Sequence, residues 1–429
     1  MKKAIVVGTG AGGATAAKEL QGKFQVTVLE AGDSFYPFTR DLKFIEKVKK
    51  TGVLFNEKQI QWIFPAMKIG KVGDKMVLVN GIGQGGTTTL SAGNAMRQDR
   101  DLRAIGIDLD AEFQELSQEI PISAQHQKKW HALTREVYDI CQDMGLHPQP
   151  TPKMIRLEKC SGCGKCVLGC AYGAKWDSRE FLRQSLENGA DLISGCRVQK
   201  VVIENSRAKG VIATQGWHTR FYPADLVVLA AGGLGTPLVL QQSNLECHAS
   251  LFVDPVLCVA ARWDSSRQNR EMPMPFVVQK EHYIISPYFD FLSYFFNPGW
   301  KYPAGDIFSL MIKLADSNTG EVSRKGVRKS LTEIDKARLK EGVGCCLDIL
   351  HRLGKKDDEI FLGTLNAGHP GGTLPLTEKE SLTLHHERLP ANLYVSDASL
   401  FPNSLGNPPI LTIAALAKRI SKLSLEYAS

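Results

Sequence analysis

Lys3-Ala-Ile-Val-Val7-Gly8-Thr9-Gly10-Ala-Gly-Gly13, and after it Gln25-Val-Thr-Val-Leu29-Glu30, is the stretch that decides how this chain folds. A short run of Ala, Ile and Val enters a glycine-rich turn, a helix-forming segment follows, and a second β run ends on an acid. Each glycine answers a separate demand: Gly8 permits the tight turn, Gly10 lets the backbone approach a pyrophosphate, and Gly13 allows helix and strand to touch. The helix N-terminus offers phosphates its free N–H groups and the positive end of its dipole. Glu30, 22 residues after Gly8, stands where a carboxylate accepts hydrogen bonds from ribose hydroxyls. The pattern predicts a dinucleotide-binding βαβ unit. A carboxylate at position 30 argues against a 2′-phosphate and hence against NADP; these residues alone leave FAD and NAD both open.

Outward from this unit, the 429 residues are too many for one ordinary core, so two closely joined domains are expected. The composition, 43% hydrophobic and 23% charged, is that of a globular protein. No apolar run approaches the roughly 20 residues that span a bilayer. The chain enters its first strand at once, without room for a signal peptide, so a cytoplasmic location is expected. The net charge of +7 is spread along the chain. It reads as a solvated basic surface or, more sharply, as a surface that docks an acidic electron-transfer partner. No basic stripe interleaves with aromatics, which argues against nucleic acid.

Helical periodicity runs through residues 111–145, carried by Phe113, Leu116, Trp130, Leu133, Val137 and Ile140. A helix is expected near 178–188, strands at 192–203 and 210–214, and an apolar strand at 226–230 running into Ala231-Gly-Gly-Leu-Gly235. Residues 250–375 change texture, β-rich and then helical at 333–353. The order predicts an α/β fold, α+β overall, with a nucleotide domain in three pieces (1–105, 190–250 and 376–429). A helical insertion (106–189) and a β-sheet and helix substrate domain (251–375) lie between them.

Three further segments narrow the cofactor. Asn80-Gly-Ile-Gly-Gln-Gly85-Gly86-Thr-Thr-Thr-Leu-Ser-Ala-Gly-Asn94-Ala-Met-Arg97 resembles the glycine-rich stretch of the glucose–methanol–choline (GMC) oxidoreductases. Val227-Val-Leu-Ala-Ala-Gly-Gly-Leu-Gly-Thr-Pro237 is similar to the family's middle flavin segment. Leu393-Tyr-Val-Ser-Asp397-Ala-Ser-Leu-Phe-Pro402, with Pro409 and Thr412-Ile-Ala-Ala-Leu-Ala417, is similar to its C-terminal signature. The resemblance covers the first 100 residues, the middle and the last 60, and is loose over 250–360. It implies FAD in a Rossmann-like domain of GMC topology. It also implies Gly85, Gly86 and Asn94 along the isoalloxazine and ribityl chain, Val198 pairing with adenine through its backbone, and Asp397 at the pyrophosphate or ribityl side. An ordinary structural turn is the plainer reading of each.

An enzyme that takes hydride from an alcohol needs a base for the hydroxyl proton. His369, in Gly368-His-Pro-Gly-Gly-Thr373, matches the family's catalytic histidine, and imidazole keeps a useful neutral fraction near its ordinary pKa of about 6.5. The family's second residue precedes a proline four positions before the Thr that opens the last helix. Counting back from Thr412 reaches Pro408, so Asn407, one residue earlier, is the expected partner, with Asn403 a poorer alternative.

Of ten cysteines, four fall within eleven residues, Cys160-x-x-Cys163-x-x-Cys166-x-x-x-Cys170. This is the spacing of bacterial ferredoxins and predicts a [4Fe–4S] cluster. A structural cysteine loop and a zinc site are the alternatives, although zinc usually takes two separated knuckles. Ala171 stands where ferredoxins carry proline, and a distant thiol could replace Cys170 as fourth ligand. Residues 169–175, Gly-Cys-x-x-Gly-Ala-Lys, also resemble a segment that some GMC proteins carry without a cluster. With a cluster, the expectation is an FAD-dependent dehydrogenase that oxidises the CH–OH group of a small alcohol-type substrate and passes electrons to a one-electron carrier such as ferredoxin, rather than an O₂-consuming oxidase. A ferredoxin-fed reductase of C=C or C=O bonds and a non-catalytic electron-transfer flavoprotein subunit are the competing readings. The aromatic run Tyr288-Phe-Asp-Phe-Leu-Ser-Tyr-Phe-Phe-Asn-Pro-Gly-Trp300 is expected to pack a core or to line a substrate pocket.

Overall fold

The two β runs that flank the glycine turn lie side by side at the centre of a five-stranded parallel sheet. The computed structural model describes residues 1–39, 46–47 and 57–428. The strand order is Leu393–Val395, Leu226–Leu229, Lys3–Val7, Gln25–Leu29, Asp191–Ile193. From Lys3–Val7 the chain first crosses through helix Ala11–Leu20 to Gln25–Leu29, and later returns on the other flank, where Val7 pairs with Leu229. This reversal is the switch point at which open parallel sheets bind ligands, outside the carboxyl ends of the strands. Leu226–Leu229 is buried at every position, as a strand covered on both faces must be. Helix Ala11–Leu20 keeps Ala14, Ala16 and Ala17 fully buried, and these small side chains let it pack closely against Ile410–Ala428.

A meander of Cys196–Glu204, Arg207–Gln215 and His218–Pro223 lies beside this sheet, with Cys196–Glu204 at one edge. The third strand is almost wholly exposed and carries no inward-facing period for the sequence to reveal.

The second domain is built on a nine-stranded sheet. Its order is Met67–Lys71, Val77–Gly81, Asn366–Ala367, Pro255–Arg262, Ile307–Leu314, Tyr283–Pro287, Phe276–Gln279, Gln149–Pro150, with Ile360–Leu362 also pairing to Pro255–Arg262. Met67–Lys71 and Val77–Gly81, assigned above to the nucleotide domain, hydrogen-bond into this sheet instead. Residues 111–145 form two helices, Asp110–Glu119 and Ala132–Asp143, rather than one continuous pattern. Helix Glu333–Arg352 begins in a Thr332/Asp335 capping box and lays Cys346, Ile349 and Leu350 on the sheet. In the aromatic run, Phe289, Phe291, Tyr294, Phe295 and Trp300 are buried in one core cluster, the packing alternative of the two readings. Among the described residues no helix is long and apolar enough to cross a membrane.

Candidate active site

The glycine turn has the geometry its residues require. Gly8 has φ +97°, and a Cβ on it would lie 2.4 Å from the Ala230 carbonyl oxygen; one on Gly13 would lie 2.0 Å from that of Gly8. Gly10 differs. It has an ordinary φ of −64°, and a Cβ on it would meet nothing within 4 Å. The turn therefore leaves open space in front of the helix N-terminus. Gly85 and Gly86, both at positive φ, bring the second glycine-rich loop onto this turn, and a Cβ on Gly86 would lie 3.1 Å from Gly10 Cα.

Two acids brace the surrounding loops. Glu30 Oε2 accepts from the Thr9 amide (3.0 Å) and hydroxyl (2.5 Å), and Oε1 accepts from the amides of Gly32 (2.9 Å) and Gly83 (3.2 Å). Burial pushes its pKa up against these four bonds. Asp397 Oδ2 accepts from the Gly232 amide (2.8 Å) and the Thr236 hydroxyl (2.5 Å), and Oδ1 from the Ser399 amide (2.9 Å). It thus clamps the C-terminal signature to the middle segment. Val198 is buried in the edge strand of the meander, where Cys196 N donates to Glu30 O at 2.8 Å. Asn94 is buried, donates to Met274 Sδ at 2.9 Å, and accepts through Oδ1 from Lys153 Nζ.

His369 and Asn407, 38 positions apart in the chain, converge on one buried ion pair. Asp254 and Lys313 form it, and both are fully buried. Asp254 Oδ2 also lies 3.5 Å from His369 Nδ1, a charge contact longer than a good hydrogen bond. Lys313 Nζ donates to the Asn407 carbonyl at 3.2 Å. Asp254 Oδ1 accepts from the Ser404 hydroxyl and the Gly406 amide, so the loop before the last helix is anchored on the same carboxylate. A second buried pair, Lys329 with Asp316 at 2.7 Å, adjoins the first through Ser404. Burial alone would raise the Asp254 carboxyl, but Lys313 and His369 hold it down to about 2. Burial, then Lys313, push the His369 pKa below its usual value, with Asp254 opposing. The shift favours the neutral imidazole, and 26% of its side chain stays accessible. Asn407 Nδ2 donates to Gln279 Oε1 at 3.2 Å. Its Oδ1 is buried without a partner.

Asp254 and Lys313 fall in the part of the chain where sequence likeness is weakest. One signal was visible: Lys313 is the only charge in Ile-Phe-Ser-Leu-Met-Ile-Lys-Leu, residues 307–314, and a lysine inside an apolar strand implies a buried partner. Asp254, at φ +53°, holds a backbone conformation that non-glycine residues seldom adopt.

Cys160, Cys163, Cys166 and Cys170 all line one pocket, bounded also by Ile155, Tyr172, Ala174 and Met272. Among the described residues no three His, Cys, Asp or Glu are grouped closely enough to share one metal ion. Lys175 joins this cavity to the second glycine-rich loop. Its Nζ donates to the carbonyls of Thr88 (3.1 Å), Thr89 (2.8 Å), Ser91 (3.0 Å) and Cys166 (3.0 Å), and its amide donates to Cys170 Sγ at 3.4 Å.

The family model of the GMC oxidoreductases matches residues 3–256. The chain belongs to the GMC oxidoreductase family. An uncharacterised protein of Methanocaldococcus jannaschii is 26% identical over 419 residues, covering 96% of this chain and 97% of that protein. A long-chain-alcohol oxidase of Arabidopsis thaliana is 25% identical over 66% of this chain, which spans 48% of that enzyme's length. The fold is shared with pyridoxine 4-oxidase from Mesorbium loti (TM-score 0.72, 16% identity, 98% of this chain and 99% of that one). It is also shared with a formate oxidase variant of Aspergillus oryzae (TM-score 0.73, 14% identity, 99% and 98%).

As a GMC member the chain is an FAD-dependent oxidoreductase. The residues present fit that cofactor. Space stands open where a Cβ on Gly10 or Gly232 would point, the N-terminus of helix Ala11–Leu20 has no side-chain cap, and Asn407 Oδ1 is a buried acceptor without a donor.

Proposed function

We propose that this GMC enzyme is a dehydrogenase of CH–OH groups in a small alcohol-type substrate, whose electrons leave through a [4Fe–4S] cluster held by Cys160, Cys163, Cys166 and Cys170. FAD, bound along Gly8, Gly10, Gly13, Glu30, Gly85, Gly86, Asn94, Val198 and Asp397, supplies hydride acceptance. The chain's own residues supply the proton chemistry and the exit. His369 takes the hydroxyl proton: its Nδ1 faces Asp254, which favours the tautomer with a proton on Nδ1 and leaves Nε2 free as the base. Asp254 stays ionised beside the imidazolium that proton uptake creates. Asn407 is assigned as the partner of the base: Lys313, which pairs with Asp254 behind His369, holds its backbone carbonyl.

The observation that carries the dehydrogenase reading is the single-lysine link between the four-cysteine cavity and the loop expected to hold the flavin. One-electron centres must lie close to the group they empty, and Lys175 spans this gap with hydrogen bonds at both ends. A cluster held by these cysteines would supply one-electron transfer to an external carrier such as ferredoxin.

The test begins with protein purified without oxygen. Flavin bands together with a broad shoulder that bleaches with dithionite, and about four irons per chain, are expected. An alcohol panel should then turn over with a one-electron dye in the absence of O₂. Iron-free protein that reduces O₂ directly would instead be an oxidase. Faster turnover of an unsaturated or carbonyl substrate with reduced viologen would reverse the assigned direction. His369→Ala should lower kcat/KM by roughly 10²- to 10⁴-fold; unchanged turnover would remove His369 from the chemistry.

A further inference from the structure

Two lysines are buried between the second glycine-rich loop and the cysteine cavity, and the bonds they make are all to neutral oxygens. Lys153 is 1% exposed; its Nζ donates to Asn94 Oδ1 and, at 2.6 Å, to the Pro273 carbonyl. Lys175 is 4% exposed and donates to the four carbonyls named above. The carboxylate that acts on Lys175 from a distance, Asp177, is itself held by both arms of Arg179 at 2.8 and 2.9 Å.

Burying an ammonium group among neutral oxygens costs several kcal/mol; here Lys175 lines the cavity, and Lys153 is bonded to the carbonyl of Pro273, next to Met272 of the same lining. The cost is offset if the cavity holds an anion. A cluster ligated by four thiolates is one, because the thiolate charge exceeds that of the iron–sulfide core, and each electron accepted adds a further negative charge. Burial pushes the Lys153 ammonium down to about 7; an anionic cluster would favour its charged form, and cations beside such a cluster would in turn favour the reduced state and raise the potential.

We propose that Lys153 and Lys175 are charge-compensating residues that set the cluster's reduction potential. Lys153, which also holds the Asn94 side chain, makes this adjustment where the flavin loop meets the cysteine cavity. The inference rests on the iron–sulfur reading above. Neither lysine touches substrate, and neither is assigned a part in proton transfer.

Lys153→Met removes the charge at similar length, and Lys153→Arg keeps it. Wild type and both variants, purified without oxygen, are assayed for iron and titrated with dithionite while the reduced cluster is followed by electron paramagnetic resonance. At a fixed ambient potential the reduced-to-oxidised ratio of the Lys153→Met cluster should fall at least tenfold, about 59 mV for a one-electron couple. Lys153→Arg should stay within threefold of wild type. Loss of iron from the Met variant alone, with Arg retaining it, also supports the proposal, since charge is then what assembly requires. Full iron with an unchanged ratio in Lys153→Met overturns it, and so does equal loss of iron from both variants, which marks a packing role. Wild type without iron overturns the iron–sulfur reading itself, a result distinct from either.

Discussion

At His369 the outcome turns on burial and two opposite charges. Burial and Lys313 disfavour the imidazolium, Asp254 favours it, and the balance lies below the ordinary value of 6.5. A base whose folded pKa is depressed binds its proton later in the folded chain than in the unfolded one. The stability it contributes is therefore full above about pH 6.5 and is lost as pH falls below that value. The acid limb of kcat/KM should accordingly lie below pH 6.5, and Lys313→Met, by removing the repelling charge, should move it upward. A limb that does not move in that variant would show that Lys313 has no hold on the base. Asp254→Asn leaves Lys313 buried and unpaired, which should cost about 3–5 kcal/mol in chemical denaturation. The double variant Asp254→Asn/Lys313→Met should recover much of that stability without recovering activity.

The turn between the first strand and the first helix separates folding from binding. A Cβ on Gly12 would lie 1.6 Å from the Ser396 carbonyl oxygen and one on Gly13 2.0 Å from that of Gly8, and both obstacles are backbone. Gly12→Ala should therefore cost about 3 kcal/mol or prevent folding. Gly10 has an ordinary φ and open space ahead, so Gly10→Ala should leave the melting temperature of the flavin-free protein unchanged or slightly raised. The same methyl would fill the space left for the pyrophosphate. Flavin content after purification should fall sharply in Gly10→Ala, and full flavin occupancy would show that the pyrophosphate passes elsewhere.

At the scale of the whole chain, Lys418 joins the last helix to two distant ones, Ala11–Leu20 and Asp110–Glu119. Its ammonium lies 2.7 Å from Glu19, 3.1 Å from Glu115 and 2.9 Å from Glu119, with 3% of the side chain exposed. Lys418→Met would leave three carboxylates sharing Lys18 and Lys422. A loss of about 2–3 kcal/mol is expected in denaturant titration, less than for a wholly buried pair because Glu115 and Glu119 stay partly wet. A loss within 0.5 kcal/mol, the usual range for surface positions, would show that helix packing alone docks this segment.

The nucleotide turn, its flanking strands and the spacing of the four cysteines were legible in the residues, because each is a local demand on backbone or ligand geometry. Gly8 and Gly13 announce their contacts within a few positions, and His369 and Asn407 stood in segments whose likeness to the GMC family could be read. Only the tertiary structure paired Lys3–Val7 with Leu226–Leu229 and drew Met67–Lys71 and Val77–Gly81 into the larger sheet. It alone brought Asp254 and Lys313 up to His369 and Asn407, and buried Lys153 and Lys175 between the second glycine-rich loop and the cysteines. A buried charge has no local signature of its partner. Its ionisation is decided by groups that arrive from far along the chain, and desolvation acts only once they have closed around it.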